Sequence, residues 1–585
     1  MKKHIISILI LFACILTMQA QFKWENPLQQ SFPVVKGRAW HNELKDSYNR
    51  LPERAKEKVR APLWNLACQS AGLSVSFYSN ASEIKVKYVL KGAHSMPHMP
   101  ATGVSGVDLY ATDSHGKQRW CGARYNFGDT ITYTYSNLSY ETPHNRGYEY
   151  QLFLPLYNSV SWLEIGVAHE AQFSFIPVSE EKPLVIYGTS IAQGACASRP
   201  GMAWTNIVGR NLESPVINMG FSGNGKLEAE LFQLLAEIDA KLYIIDCMPN
   251  LSGEEAAKQI YNQTLQGVNI LREKSNAPIL LVEHGGYTNA LTSKTRETSY
   301  NVANVELRKA YEAIKNNGIP EVYYLSKEEI GLSLDATVEG VHPTDLGMQQ
   351  YADSYIRKIN EILSRESGKI STLAPCKQRR EPDMYEWNER HEQILKQNKE
   401  QAPEVVMIGN SITHYWAGEP IAPKQSGVKS WNKLFKGKKV RNLGFGWDRI
   451  ENVLWRIHHG ELDGYQAENI FLMIGTNNLG INSDEEIITG IQHVIQAIRQ
   501  RQPTAKLCVA AILPRKGMES RIANLNENLR TRLSATDVSY MDLTDCLTNN
   551  DGVINHSLFS DGLHPNEKGY EYIAKELKKH LTKTL

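Results

Sequence analysis

The sequence predicts an α/β protein in which two doubly wound α/β domains follow an antiparallel β-sandwich. Residues 22–180 alternate apolar and polar positions, whereas after Leu184 short unbroken apolar runs are separated by stretches with helical spacing. Residue landmarks also recur in order: Ser190 and Ser411 are 221 apart, Asn218 and Asn442 224, Asn250 and Asn477 227, and His342 and His564 222. Period-two alternation marks half-buried antiparallel strands, and continuous runs mark strands buried on both faces of a parallel sheet. The near-constant offsets mark a tandem duplication.

In chain order, residues 1–20 read as a signal peptide. Lys2, Lys3 and His4 precede an apolar run from Ile5 to Leu16, and Ala20 is the cleavage point. A dozen apolar residues fall short of the roughly 20 that span a bilayer. Residues 22–180 form the sandwich, with strands at Leu73–Phe77, Ile84–Tyr88, Ile131–Tyr135 and Phe173–Phe175. Gly106-Val-Asp-Leu-Tyr110 lies among them, followed by a hairpin turn at His115-Gly116.

Residues 183–365 form the first α/β domain, with strands at Leu184–Tyr187, Leu242–Ile245, Ile279–Val282 and Val322–Leu325 and a helix from Leu227 to Ile238. Residues 366–402 are a polar linker and a docking helix whose apolar face is Met384, Trp387, His391, Ile394 and Leu395. Residues 403–585 form the second α/β domain, with runs at Val405–Ile408, Ile470–Ile474, Val509–Leu513 and Tyr540–Leu543.

The 585 residues are 42% hydrophobic, 22% charged and 9% aromatic, which is globular composition with material for several cores. Lys and Arg number 64 against 63 Asp and Glu, a net charge of +1 that argues against nucleic acid or an anionic membrane as partner. The eight cysteines are scattered without a CxxC pair, so neither a zinc ribbon nor a disulfide framework is expected.

Candidate chemistry lies at the strand ends. Val405-Val-Met-Ile-Gly-Asn-Ser411 is a buried strand ending in a serine-bearing turn, at the edge where doubly wound sheets form their ligand crevice. Taken alone, Gly-x-Ser more often marks a helix N-cap serine. The next strands end in Asn442-Leu-Gly-Phe-Gly-Trp-Asp448 and Ile474-Gly-Thr-Asn-Asn478, bringing turn N–H groups and an amide to that edge. In Asp561-Gly-Leu-His564-Pro565 a carboxylate three residues before a histidine can accept from Nδ1–H, leaving Nε2 to take a proton from Ser411. The first copy repeats this with Gly188-Thr-Ser190, Asn218-Met-Gly-Phe-Ser-Gly223, Asp246-Cys-Met-Pro-Asn250 and Glu339-Gly-Val-His342-Pro343, and Asp335 is a reserve acid.

Two other patterns mislead. Gly220-Phe-Ser-Gly-Asn-Gly-Lys226 imitates a phosphate-binding loop but continues with Leu227 instead of a Ser or Thr. Cys196 and Cys247 lie near the first copy's blocks, but neither occupies the nucleophile turn.

These four ordered blocks resemble those of the SGNH, or GDSL, hydrolase superfamily, over 183–365 and again over 403–585. The second half is similar to the catalytic subunits of platelet-activating-factor acetylhydrolase. The first half, with its upstream GxDLY segment, resembles bacterial SGNH esterases that carry a β-sandwich. The resemblance implies flavodoxin-like three-layer α/β/α domains and an ester hydrolase without metal or cofactor. It also implies Ser190 and Ser411 as nucleophiles, His342 and His564 as bases, and Glu339 and Asp561 as orienting acids. Gly223, Asn250, Trp447 and Asn477 are implied as oxyanion positions. Trp447 stands where the family has glycine, and Asn410 where it has Asp before the nucleophile.

The expected function is therefore a secreted or periplasmic esterase removing acyl groups, chiefly acetyl, from polysaccharide or oligosaccharide. An acylated carbohydrate is the expected partner, with neither nucleic acid nor stable membrane insertion. A phospholipid acyl-ester hydrolase, and a glycan-binding protein with an inactive hydrolase domain, stay open as alternatives.

Overall fold

The computed structural model describes residues 22–113, 116–139, 146–365, 367–380 and 384–582. The signal peptide expected at 1–20 lies outside the described residues. The described residues pack as two compact units, one built from those between 22 and 113 and between 117 and 362, the other from Gly116 and those between 363 and 582.

The first unit opens with two antiparallel sheets. One runs Phe22–Glu25, Val160–Ala168, Glu83–Leu90, Ile131–Ser136, Arg124–Asn126 in spatial order. The other runs Phe173–Phe175, Ser74–Ser79, Tyr148–Phe153, Asp108–Thr112, Gln118–Cys121, with Val35–Lys36 beside Ser74–Ser79. Alternation fills the space between them: Ile84, Val86 and Tyr88 are buried with Ile131, Tyr133 and Tyr135, while Lys85 and Lys87 stay on the outer face. The expected hairpin joins Asp108–Thr112 to Gln118–Cys121.

The α/β sheet of this unit is wholly parallel, in the order Val216–Gly220, Leu184–Gly188, Leu242–Asp246, Ile279–Val282, Val322–Leu325. The second unit repeats the order with Val440–Gly444, Val405–Gly409, Asn469–Met473, Lys506–Ala510, Ser539–Met541. Both sheets are buried on both faces, which is why their strands read as unbroken apolar runs.

Three local expectations need correction. Residues 51–67 do not belong to the sandwich core. Leu51, Ala55, Leu63, Trp64 and Ala67 pack into the first α/β core, because helix Ala61–Ala67 presents a helical apolar face that a pleated sheet does not match. The docking helix runs Trp387–Glu400, so Met384 precedes it and is exposed, whereas Trp387 and Ile394 are buried. The run Val509–Leu513 leaves the sheet after Ala510, where Ile512 bonds instead through its N–H and carbonyl to Asn526.

Residue 50 and residue 390 meet the same need in the two units. Strand Val216–Gly220 is an edge strand, and the Arg50 guanidinium donates to the carbonyls of Asn218 (3.0 Å) and Gly220 (2.8 Å). Arg390 donates to the carbonyls of Asn442 and Gly444 (both 2.9 Å) on the matching strand. Each arginine is buried and covers carbonyls that a further strand would otherwise satisfy.

Candidate active site

Each nucleophile candidate sits where the first strand of its sheet turns into a short helix, Ser190–Gln193 or Ser411–His414. The preceding side chain caps the turn: Thr189 Oγ1 accepts from the Ile191 N–H at 3.3 Å and Asn410 Oδ1 from the Ile412 N–H at 2.9 Å. Asn410, which stands where the family has Asp, thus caps the turn through its side-chain oxygen. The adjacent strand approaches closely: a Cβ on Gly220 would stand 2.3 Å from the Gln193 nitrogen, and one on Gly444 2.2 Å from the His414 nitrogen. Asn218 and Asn442 lock this approach, donating to the Ala192 carbonyl at 2.7 Å and the Thr413 carbonyl at 2.9 Å.

The histidines arrive from far along the chain. In the first unit Ser190 Oγ lies 2.9 Å from His342 Nε2, and His342 Nδ1 lies 2.6 Å from Glu339 Oε1. In the second, Ser411 Oγ lies 2.8 Å from His564 Nε2, and His564 Nδ1 lies 2.7 Å from Asp561 Oδ2. A carboxylate acceptor makes Nδ1 the protonated nitrogen, so Nε2 keeps its lone pair toward the serine. Glu339, not Asp335, meets the first histidine, and the Asp335 carbonyl accepts from Thr344. Burial pushes Asp561 upward, but the backbone N–H and imidazole of His564 and the N–H of Leu563 hold it down to about 2. Asp561 stays ionised at any working pH.

Gly223 and Trp447 lie on the turns after the second strands, and the asparagines are tied to the same turns. Asn477 Nδ2 donates to the Asp448 carbonyl at 2.9 Å, and Asn250 Nδ2 to the carbonyls of Phe221 (3.3 Å) and Gly225 (3.2 Å). Asn478 is a staple, buried and bonded to Glu451, Asn482 and the Ile450 N–H.

Several supporting residues were not legible from single motifs. Gln193 Oε1 accepts from the Ser222 N–H at 3.0 Å, and His414 Nδ1 from the Gly446 N–H at 3.1 Å, so the third residue after each serine holds the turn that follows the second strand. Their equivalence follows from the 221-residue offset once both are seen as acceptors. Burial, with Arg390 and Arg456 nearby, pushes His414 down to about 2, so it remains a neutral acceptor.

In the second unit, Arg456 is buried between Asp448 (2.9 Å) and Glu461 (2.5 Å), while Trp387 Nε1 donates to Asp448 at 2.8 Å. Burial pushes Asp448 up to about 7 against the pull of Arg456. Removing one member of such a group costs about 3–5 kcal/mol, because a buried charge is left unpaired. The Gly-Val-Asp-Leu-Tyr segment ties the sandwich to the first α/β domain. Asp108 accepts from Arg199 (2.5 Å), the Gly201 N–H (2.9 Å) and Trp120 (2.7 Å), joining the sandwich to the loop after the nucleophile helix.

Neither decoy becomes a site of its own kind. Cys247 is buried with Sγ 3.8 Å from the Tyr187 carbonyl, and the Lys226 N–H is taken by Tyr187 and Glu228. Among the described residues no two cysteines form a disulfide. Among the described residues no helix is long and apolar enough to cross a membrane.

Comparison with known proteins agrees with this geometry. Residues 181–360 and 407–572 each match a model of the GDSL-like lipase/acylhydrolase family, and residues 22–173 match a model of the N-terminus of SGNH-hydrolase-type esterases. Platelet-activating factor acetylhydrolase IB subunit alpha2 of Rattus norvegicus is 32% identical over 197 residues, 33% of this chain and 81% of that one. Subunit alpha1 of Bos taurus is 29% identical over 204 residues, 34% of this chain and 84% of that one. A solved GDSL-like lipase from Bacteroides ovatus superposes with a TM-score of 0.54 at 30% identity, covering 59% of this chain and 98% of its own.

Fold, site and matches define a carboxylic ester hydrolase. The chain belongs to the GDSL-like lipase/acylhydrolase family, with two hydrolase domains of that family in tandem.

Proposed function

We propose that the protein is an exported esterase that removes acyl groups, chiefly acetyl, from polysaccharide or oligosaccharide, using a serine acyl-enzyme mechanism in both units. The observation that carries this reading is the unbroken serine–histidine–carboxylate chain, present twice with every link between 2.6 and 2.9 Å. Ser190 or Ser411 attacks the ester carbonyl as Nε2 takes its proton. The imidazolium then protonates the leaving sugar hydroxyl, and water activated by the same nitrogen releases the acid. The negative oxygen sits against the serine N–H, the Asn250 or Asn477 amide, and the turn N–H of Gly223 or Trp447. Losing one such donor costs about 3–4 kcal/mol of transition-state stabilisation.

Acetyl as the acyl group is supported by the acetylhydrolase relatives. Sugar as the alcohol is supported by Trp447, whose side chain stands 54% exposed on the oxyanion turn and offers a flat face to a pyranose. Those same relatives favour a second reading, a phospholipid acetyl ester. Acetate release from acetylated xylan measured against a short-chain phospholipid separates the two. Hydrolysis of p-nitrophenyl acetate by the Ser190→Ala, Ser411→Ala double variant tests the mechanism; turnover undiminished in that variant removes it.

A further inference from the structure

We propose that the first serine–histidine site also binds a borderline-soft divalent metal ion, best matched by Zn²⁺, through His98, Cys196 and His342, and that the bound ion switches this copy off. One donor atom from each of the three residues lies within 4.8 Å of the other two. Two imidazole nitrogens and a thiolate, with a fourth position open, form a donor set suited to Zn²⁺ rather than to Ca²⁺ or Mg²⁺.

The surroundings set up each ligand. Cys196 has φ +67°, a left-handed turn just after the nucleophile helix, and its buried thiol lies 3.3 Å from the His98 carbonyl. His98 comes from the sandwich side of the same unit, with its ring centroid 5.5 Å from that of His342. Glu339 holds His342 Nδ1, so the ring's lone pair is on Nε2; a carboxylate behind a histidine is the usual outer support of a zinc ligand. Bond lengths of about 2.0 Å to nitrogen and 2.3 Å to sulfur ask the donors to close by roughly 1 Å, a movement open to the exposed His98 side chain.

Binding replaces the S–H bond of Cys196 with a Zn–S bond and releases one proton to solvent, with no change of oxidation state. The Nε2 lone pair given to the metal is the one that would accept the Ser190 proton, so the occupied site cannot act as a base. The second unit supplies a control. Ala417 stands at the position of Cys196, and Tyr415 packs on His564 (centroids 5.7 Å apart) as His98 packs on His342.

The inhibition half of this proposal rests on the esterase reading, and the binding half does not. The test therefore titrates zinc chloride in two readouts, p-nitrophenyl acetate hydrolysis and competition with a chromophoric zinc indicator. Ser411→Ala isolates the first copy and Ser190→Ala the second. The expected result is EDTA-reversible inhibition of Ser411→Ala, no inhibition of Ser190→Ala at the same zinc, and indicator competition by both. Cys196→Ser and His98→Gln should each raise the zinc needed by about tenfold or more in both readouts, with inhibition read against each variant's own zinc-free rate. The proposal is overturned by failure to compete with the indicator, by competition that both substitutions leave unchanged, or by equal inhibition of the two isolated copies.

Discussion

Gly223 and Trp447 share one backbone conformation, with φ of +66° and +62°. A left-handed φ suits glycine and strains any residue with a Cβ by about 1–2 kcal/mol. The second unit has therefore kept the turn's left-handed conformation while placing a large aromatic there. Trp447→Gly is expected to stabilise the second unit by up to about 1 kcal/mol in urea unfolding. On p-nitrophenyl acetate kcat/KM should hold or rise, whereas on acetylated polysaccharide KM should rise. An unchanged polysaccharide KM would rule out the indole as a sugar platform.

The orienting acids differ by one methylene, yet both reach Nδ1. In the Ser411→Ala background, Glu339→Gln should lower kcat by about 10²–10⁴-fold, as should Asp561→Asn in the Ser190→Ala background. Asp335→Asn should leave the first copy unchanged. Loss of activity in Asp335→Asn with Glu339→Gln intact would reverse the assignment.

Acid should silence both copies through their histidines. Asp561 is held down to about 2 and the buried His414 is pushed down to about 2, so neither changes charge where the enzyme works. Imidazolium cannot accept a proton from serine. In a pH series on each isolated copy, kcat/KM should fall as pH drops from about 8 to about 5. A flat profile over that range contradicts the mechanism.

Asp246 is a stability handle in the first unit. It is buried at the end of a central strand with Tyr355 donating to it at 2.9 Å, and burial pushes it up to about 7. A folded-state value above the unfolded one means that the native state binds a proton the unfolded chain has released. Stability from this group is thus full in acid and lost as pH rises from about 4 to about 7. Asp246→Asn keeps an acceptor for Tyr355 and should remove that slope. Urea unfolding at pH 5 and pH 8 measures it, and parallel losses in variant and wild type would exclude Asp246 as its source.

Much of the site was legible because its parts are short, local patterns. Gly409-Asn410-Ser411 reads as strand, cap and nucleophile, and Asp561 three residues before His564 reads as acid and base. The duplication converted weak blocks into a strong pattern, since Ser190, Gly223, Asn250 and His342 repeat Ser411, Trp447, Asn477 and His564 in order. Arg50, Gln193 and Arg456 carried no such mark. Their partners are backbone atoms or carboxylates brought near by folding, as with Arg50 and the Gly220 carbonyl, 170 residues apart.

The sequence by itself determined the two kinds of sheet, the order of the blocks, and which serines and histidines belong together, because periodicity and spacing are properties of the chain. Only the tertiary structure decided that Glu339 rather than Asp335 holds His342, that residues 51–67 pack on the first α/β core, and that His98 and Cys196 converge on one imidazole. Those outcomes depend on distances across the fold, and hydrogen bonding and metal ligation change over a fraction of an ångström.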